Sequence, residues 1–186
     1  MVDVKIQNVV ASANLKQKFD LPSIMKAFRN VEYRPKKFPG LVFRLKQPKT
    51  ATLIFRTGKM VCTGAKSIKL AKSSVKKVVR ELKKGGIIIL GRPEITIQNV
   101  VATADMDSGI DVVKAADIMD NVMYEPEQFP GIIYRMNDPK VVMLLFSSGK
   151  IVITGARSEE EAQEAAEKIW AFLRENHLFT GVSENG

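Results

Sequence analysis

Apolar and polar residues alternate over short stretches of this chain, and between those stretches apolar residues recur every third or fourth position. The alternating segments 4–13 (VKIQNVVASA), 41–45 (LVFRL), 51–56 (ATLIFR) and 59–65 (KMVCTGA) read as strands. The connections Gln47-Pro48-Lys49 and Thr57-Gly58-Lys59 are short and carry Pro or Gly, which favours an antiparallel meander. A short helix is expected after the first strand, opened by Asp20 as N-cap, with Ile24, Ala27, Phe28 and Val31 on one face. A longer helix follows the last strand. Its apolar stripe is Ala71, Val75, Val78, Val79 and Leu82, and Gly85-Gly86 ends it.

The same pattern then runs again. Shifting the chain by 91 residues lays positions 6–67 on 97–158 without a gap, with 27 of 62 residues identical. The second set of strands is EITIQNVVATA, IIYRM, VVMLLFS and KIVITGA, turned by Asn137-Asp138-Pro139-Lys140 and Ser148-Gly149-Lys150. Its short helix opens at Asp111 and carries Ala115, Ile118, Met119 and Val122. Its long one opens with a Ser158/Glu161 capping box and carries Ala162, Ala166, Ile169, Trp170 and Leu173. The expectation is two related lobes, residues 1–91 and 92–186, joined by 87–93 (IIILGRP), with fraying after Leu178.

Each lobe has two faces to its strands. Val9, Ala51, Ile54, Met60 and Cys62 are expected to lie under the helices, and Asn8, Val10, Leu53, Phe55, Val61 and Thr63 on the other side. One apolar stripe per helix covers one sheet face only. The second face is therefore expected to be apolar and open, and a bare patch of that size marks a binding surface. A second sheet or a second copy of the chain, as a homodimer, would be the other ways to cover it. The small polar groups Asn8, Thr63, Asn99 and Thr154 set in an aliphatic field suit a surface with sparse acceptors. The minor groove of A·T-rich DNA is one, offering adenine N3 and thymine O2. Arg44, Lys49 and Lys59, with Arg135, Lys140 and Lys150, surround this floor and would contact phosphates.

Charge sharpens this. Residues 1–91 hold 21 Lys/Arg against 4 Asp/Glu, and residues 92–186 hold 8 against 16, within a total of +9. A strongly basic half implies a polyanion, and an acidic half implies that the partner is not met uniformly. Cys62 is the only cysteine and His177 the only histidine, so no multi-Cys metal site, disulfide or catalytic His constellation is expected. Gly58-Lys59 and Gly149-Lys150 lack the preceding glycine of a phosphate loop. No enzyme, metal or cofactor is expected. No apolar run reaches the ~18 residues of a membrane span, and the N-terminus has no signal-peptide layout. A reducing intracellular compartment follows.

IQNVV occurs twice, as does Tyr-x-Pro-x-x-Phe-Pro-Gly, and GKMVCTGAKS is echoed by GKIVITGARS. With these motifs nearly the whole chain resembles the TATA-box-binding protein family. The resemblance implies an α+β saddle, one curved antiparallel sheet of ten strands with four helices on its convex side, and promoter DNA beneath it. It implies that Phe38 and Phe55, with Phe129 and Phe146, wedge between base pairs. Asn8, Val10, Leu53, Val61, Thr63, Asn99, Val101, Leu144, Val152 and Thr154 would form the groove floor, and Pro39 and Pro130 the stirrup tips. It further implies recruitment of transcription factor B, gripping Glu125, Glu127 and Gln128, and of RNA polymerase. The first-lobe equivalent of that segment, Tyr33-Arg34-Pro35-Lys36-Lys37, is basic, so charge would admit the partner on one side only. The alternative is an accessory or protein-interaction module of the same fold without promoter specificity. The short start before the first strand points to an archaeal member acting in the cytoplasm at the nucleoid; a eukaryotic one would be nuclear.

Overall fold

Strand formation follows the alternation. The computed structural model describes residues 1–181. Its strands are β1 (Val4–Asn14), β2 (Val31–Glu32), β3 (Leu41–Lys46), β4 (Lys49–Ile54), β5 (Lys59–Ala65), β6 (Glu94–Asp105), β7 (Val122–Met123), β8 (Ile132–Asn137), β9 (Lys140–Leu145) and β10 (Lys150–Ala156). The helices are α1 (Leu21–Ala27), α2 (Ile68–Lys84), α3 (Val112–Ile118) and α4 (Glu159–Glu175). The fold class is the expected α+β, an antiparallel sheet of ten strands with four helices among the described residues. None of those helices is long and apolar enough to cross a membrane.

The chain forms two compact units, one of Asn8–Gln98 and one of Met1–Gln7 with the residues from Asn99 onward. In the first the strand order is β2-β3-β4-β5-β1 and in the second β6-β10-β9-β8-β7. The N-terminus is tied into the second unit. Val2 N–H donates to Glu167 Oε1 at 2.8 Å, and Gln163 Nε2 donates to the Val2 carbonyl at 2.7 Å.

Packing is one-sided in both units. In the first, Ala13, Leu41, Phe43, Leu45, Ile54, Met60 and Cys62 are buried against Ile24 of α1 and Val75, Val78, Val79 and Leu82 of α2. In the second, Ala102, Ile132, Met143, Leu145, Ile151 and Ile153 are buried, as are Ala162, Ala166, Ile169 and Leu173 of α4. Ser67 and Ser158 cap the long helices, accepting from Leu70 N–H at 3.0 Å and Glu161 N–H at 3.1 Å. Gly85 closes α2 as expected.

Several local expectations are corrected. Helix α1 stops at Ala27 and α3 at Ile118; Phe28 and Met119 already have extended backbone, and Val31 and Val122 start the edge strands β2 and β7. Asp20 does not cap α1 with its side chain, because its carboxylate accepts from Ser23 Oγ at 2.7 Å. Asp111 does cap, accepting from Lys114 N–H at 3.1 Å. Ala51 lies on the open side, since it pairs with Thr63 while buried Thr52 pairs with Cys62. Trp170 is only half-buried, and Ala165, which the expected stripe left out, is fully buried. The segment just after Leu178 is held rather than frayed: Phe179 bridges Ile110, and Thr180 N–H donates to the Gly109 carbonyl at 2.9 Å. The rest of that expectation, residues 182–186, lies outside the described residues.

Candidate nucleic-acid interface

The face turned away from the helices is built the same way in each unit. In the first, Leu53 pairs with Val61 and Ala51 with Thr63, and Asn8 and Val10 continue the surface on β1. All are half-buried, whereas their strand neighbours Val9, Thr52, Ile54, Met60 and Cys62 are buried. In the second, Val152 pairs with Leu144 and Thr154 with Val142, next to Asn99 and Val101, with the same contrast. The ten floor residues expected from the sequence thus share a partly exposed strand face in their own units.

A β-bulge organises the polar members. The β1–β5 register shifts between Val9 and Ala11, and the β10–β6 register between Ile153 and Ala156. Gly64 and Gly155 sit there with φ of +98° and +94°, a conformation that L side chains rarely adopt. Asn8 Oδ1 accepts the Gly64 N–H at 2.7 Å, and its Nδ2 donates to Thr63 Oγ1 at 3.0 Å. Asn99 makes the same bonds to Gly155 at 2.6 Å and Thr154 at 3.1 Å. Only the amide oxygen can accept from a backbone N–H, so the orientation of both amides is determined. One Nδ2 hydrogen of each Asn is left pointing away from these partners. Sequence reasoning found the Asn and Thr but missed the bulge, although a Gly inside a strand pattern, repeated at 64 and 155, signals one.

The phenylalanines come together in pairs. Phe38 lies on the loop between β2 and β3, and Phe55 directly follows β4, in a turn closed by Gly58 N–H to the Phe55 carbonyl at 3.0 Å. Their rings meet edge to face, with centroids 5.9 Å apart; Phe129 and Phe146 repeat this at 5.7 Å. Phe38 is 41% exposed and the other three are half-buried, so none is in the core. The glycine of each Phe-Pro-Gly has a steric cause. A Cβ on Gly40 would lie 2.8 Å from Phe38 and 3.0 Å from Phe55; one on Gly131 would lie 3.0 Å from Phe146 and 3.1 Å from both Phe129 and the Leu145 carbonyl. Pro39 and Pro130 are exposed beside them.

Strand parity places all six expected cations on the open face. Arg44 is two residues from Val42, Lys49 two from Ala51, and Lys59 two from Val61; Arg135, Lys140 and Lys150 match them. All are exposed. Arg44 is engaged by Glu32 at 3.3 Å, an exposed pair of little intrinsic strength. Met123 stands at the equivalent of Glu32 beside Arg135, and it is 56% exposed.

The loops that carry Phe38 and Phe129 share a backbone and differ in charge. Lys37 and Phe38 N–H both donate to the Arg34 carbonyl, at 2.9 and 3.0 Å, and Gln128 and Phe129 N–H to that of Glu125, both at 2.9 Å. Glu125, Glu127 and Gln128 are exposed, as are Arg34, Lys36 and Lys37. His177 is also exposed, and both Gly-Lys pairs are hairpin turns.

A twice-repeated open strand face, edged by aromatic pairs and cations, defines a binding protein. Residues 3–85 and 94–176 match the family model described as transcription factor TFIID (or TATA-binding protein, TBP). The chain belongs to that family, whose members are DNA-binding transcription factors and not enzymes. It is 54% identical to the TATA-box-binding protein of Pyrodictium occultum over 91% of this chain and 85% of that one. It is 51% identical to that of Sulfolobus acidocaldarius, over 97% and 92% of the two chains. The solved Methanococcus jannaschii TBP superposes with a TM-score of 0.85 at 50% identity, covering 93% of this chain and 99% of the other. These relatives are archaeal, as the resemblance implied.

Proposed function

We propose that this chain is a general transcription initiation factor that applies its open strand face to the minor groove of the TATA promoter element. In this reading it kinks the DNA with its phenylalanines and recruits transcription factor B and RNA polymerase. The repeats, residues 1–91 and 92–186, act as one continuous curved sheet, in the archaeal cytoplasm at the nucleoid. The observation that carries the reading is the pair of edge-to-face phenylalanine couples at equivalent positions, held at the rim of the open face and outside the core.

Each group has a role set by its chemistry. Val10, Leu53 and Val61, with Val101, Leu144 and Val152, press an aliphatic surface on the groove floor, where a guanine amino group would collide. The remaining amide hydrogens of Asn8 and Asn99 are donors, and an A·T groove presents only acceptors along its floor. Thr63 and Thr154 hold those amides and offer hydroxyls alongside. Phe38 and Phe129 are the wedges, backed by Phe55 and Phe146. For minor-groove proteins of this family a wedge costs a few kcal/mol of unstacking per step, offset by the surface that bent DNA brings into contact. Pro39 and Pro130 stiffen the wedge loops. The six cations fix register on phosphates, Arg44 by exchanging Glu32 for a phosphate. Glu125, Glu127 and Gln128 offer the transcription factor B contact.

The test is DNA bending, measured by end-to-end energy transfer on an A·T-rich promoter duplex, for the wild type and a Phe38→Ala/Phe129→Ala variant. The wild type bends the duplex and the variant bends it far less. Equal bending by both, or equal affinity for a G·C-rich duplex, would overturn the reading.

A further inference from the structure

Helix α2 packs on β3, β4 and β5 through its apolar stripe, on the side of those strands opposite the open face. Its outward surface carries Lys69, Lys72, Lys76, Arg80 and Lys83, spaced three or four residues apart and all exposed. At 100° per residue they form one row about 21 Å long. Neighbouring cations are engaged: Lys77 donates to the Gln47 carbonyl, and Lys84 lies 3.8 Å from Glu81. Among the described residues the five of the row have no ion pair or hydrogen bond through their side chains.

The fold does not require this charge. Helix α4 occupies the equivalent place in the other repeat with the same kind of apolar stripe, yet it carries Glu160, Gln163, Glu167, Ala171 and Arg174 at the matching positions. Five adjacent cations repel one another, so the row lowers stability unless something anionic meets it. Between them lies Ser73, and only Leu70, at the first turn, offers exposed apolar surface. A protein partner would need apolar or aromatic anchors, and lysine is depleted in such interfaces. A phosphate backbone needs none.

We propose that the outward face of α2 is a second, sequence-independent binding site for duplex DNA, distinct from the open strand face. A molecule seated on a promoter can then hold a second DNA segment on its other side. The site reads phosphates only, so it accepts G·C-rich duplex that the strand face rejects.

The test uses the full chain and a fluorescent G·C-rich duplex, first free in solution and then added to protein already bound to an immobilised promoter duplex. The wild type retains the second duplex on the promoter-bound protein. A Lys72→Gln/Lys76→Gln/Arg80→Gln variant loses it while shifting the promoter duplex as before, and its slope of log affinity against log salt for the G·C duplex is shallower by about 2.7. Lys72→Arg/Lys76→Arg/Arg80→Lys restores retention. Failure of the wild type to retain the duplex, or retention unchanged in the Gln variant, overturns the proposal. So does preference of the row for an acidic polypeptide such as poly-glutamate at salt where G·C duplex is released. The free-duplex measurement needs no promoter, so it stands or falls apart from the promoter reading.

Discussion

The side-chain oxygen of Asn8 accepts the backbone N–H of Gly64 at 2.7 Å, closing a β-bulge through a residue that also lines the open face. Asn99 and Gly155 repeat the relationship at 2.6 Å. One amide therefore has two parts to play: its oxygen satisfies the strand, and one of its two Nδ2 hydrogens is not taken up by the threonine.

Substitution separates the two parts. Asn8→Ala or Asn99→Ala removes one hydrogen bond to the bulge and lowers unfolding free energy by about 1 kcal/mol each, read by urea denaturation. Asn8→Asp keeps the acceptor and so keeps most of the stability. It removes the remaining donor and puts a negative charge beside DNA, so promoter affinity drops sharply. Binding of the A·T duplex by the Asn8→Asp variant at wild-type strength would show that the free hydrogen reads nothing.

The glycines of the two Phe-Pro-Gly segments respond unequally to alanine. At Gly40 the new methyl meets only the ends of two rings, which turn away. At Gly131 it also meets the Leu145 carbonyl at 3.1 Å, which belongs to β9 and cannot retreat freely. Overpacking of this kind costs about 1–3 kcal/mol, so Gly131→Ala lowers the melting temperature more than Gly40→Ala. Both reduce DNA bending, because the edge-to-face pairs are displaced. Equal melting temperatures would show that the β9 backbone yields.

What the sequence made legible follows from what repeats. Long strands and long helices show their period over enough residues to be read, and β5 and β10 are found at their expected bounds. The two-residue strands β2 and β7 cannot display an alternation, so the apolar Phe28 and Val31 read as a continuation of α1. The pattern puts Ala51 on the wrong face through a slip of one residue, which in a strand reverses the side. The Asn, Thr and Phe of the open face stand out because each appears twice, 91 residues apart. Their linkage through the bulge, and the approach of Phe55 to Gly40 and of Phe146 to Gly131, are contacts between residues distant in sequence, which no local pattern encodes.

Cys62 is fully buried in the first unit, and burial pushes its thiol above the ordinary value of 9.0. The protonated form is thus favoured in the folded state. Stability from this group is intact below pH 9.0 and is lost as pH rises through the higher folded value. A disulfide-exchange reagent at neutral pH leaves the native protein unmodified and labels one thiol when urea is added. Prompt labelling without urea would mean that the covered face opens readily.

Direction on the DNA is the property that symmetry threatens, because the minor groove barely separates A·T from T·A. The two loops that carry Phe38 and Phe129 have the same backbone bonds, so any asymmetry there is carried by side chains: Arg34, Lys36 and Lys37 against Glu125, Glu127 and Gln128. A basic surface on transcription factor B would be drawn to the second loop and repelled by the first. Glu125→Lys/Glu127→Lys then abolishes the ternary complex while promoter binding by the chain alone stays near wild type, both read by gel shift. The converse exchange is more telling. Arg34→Glu/Lys36→Glu/Lys37→Gln copies the acidic loop into the first repeat, and transcription factor B should then protect DNA on both sides of the promoter element in a footprint. If the first exchange leaves ternary assembly intact, or the second leaves protection on one side only, orientation is set by something other than the charge of these loops.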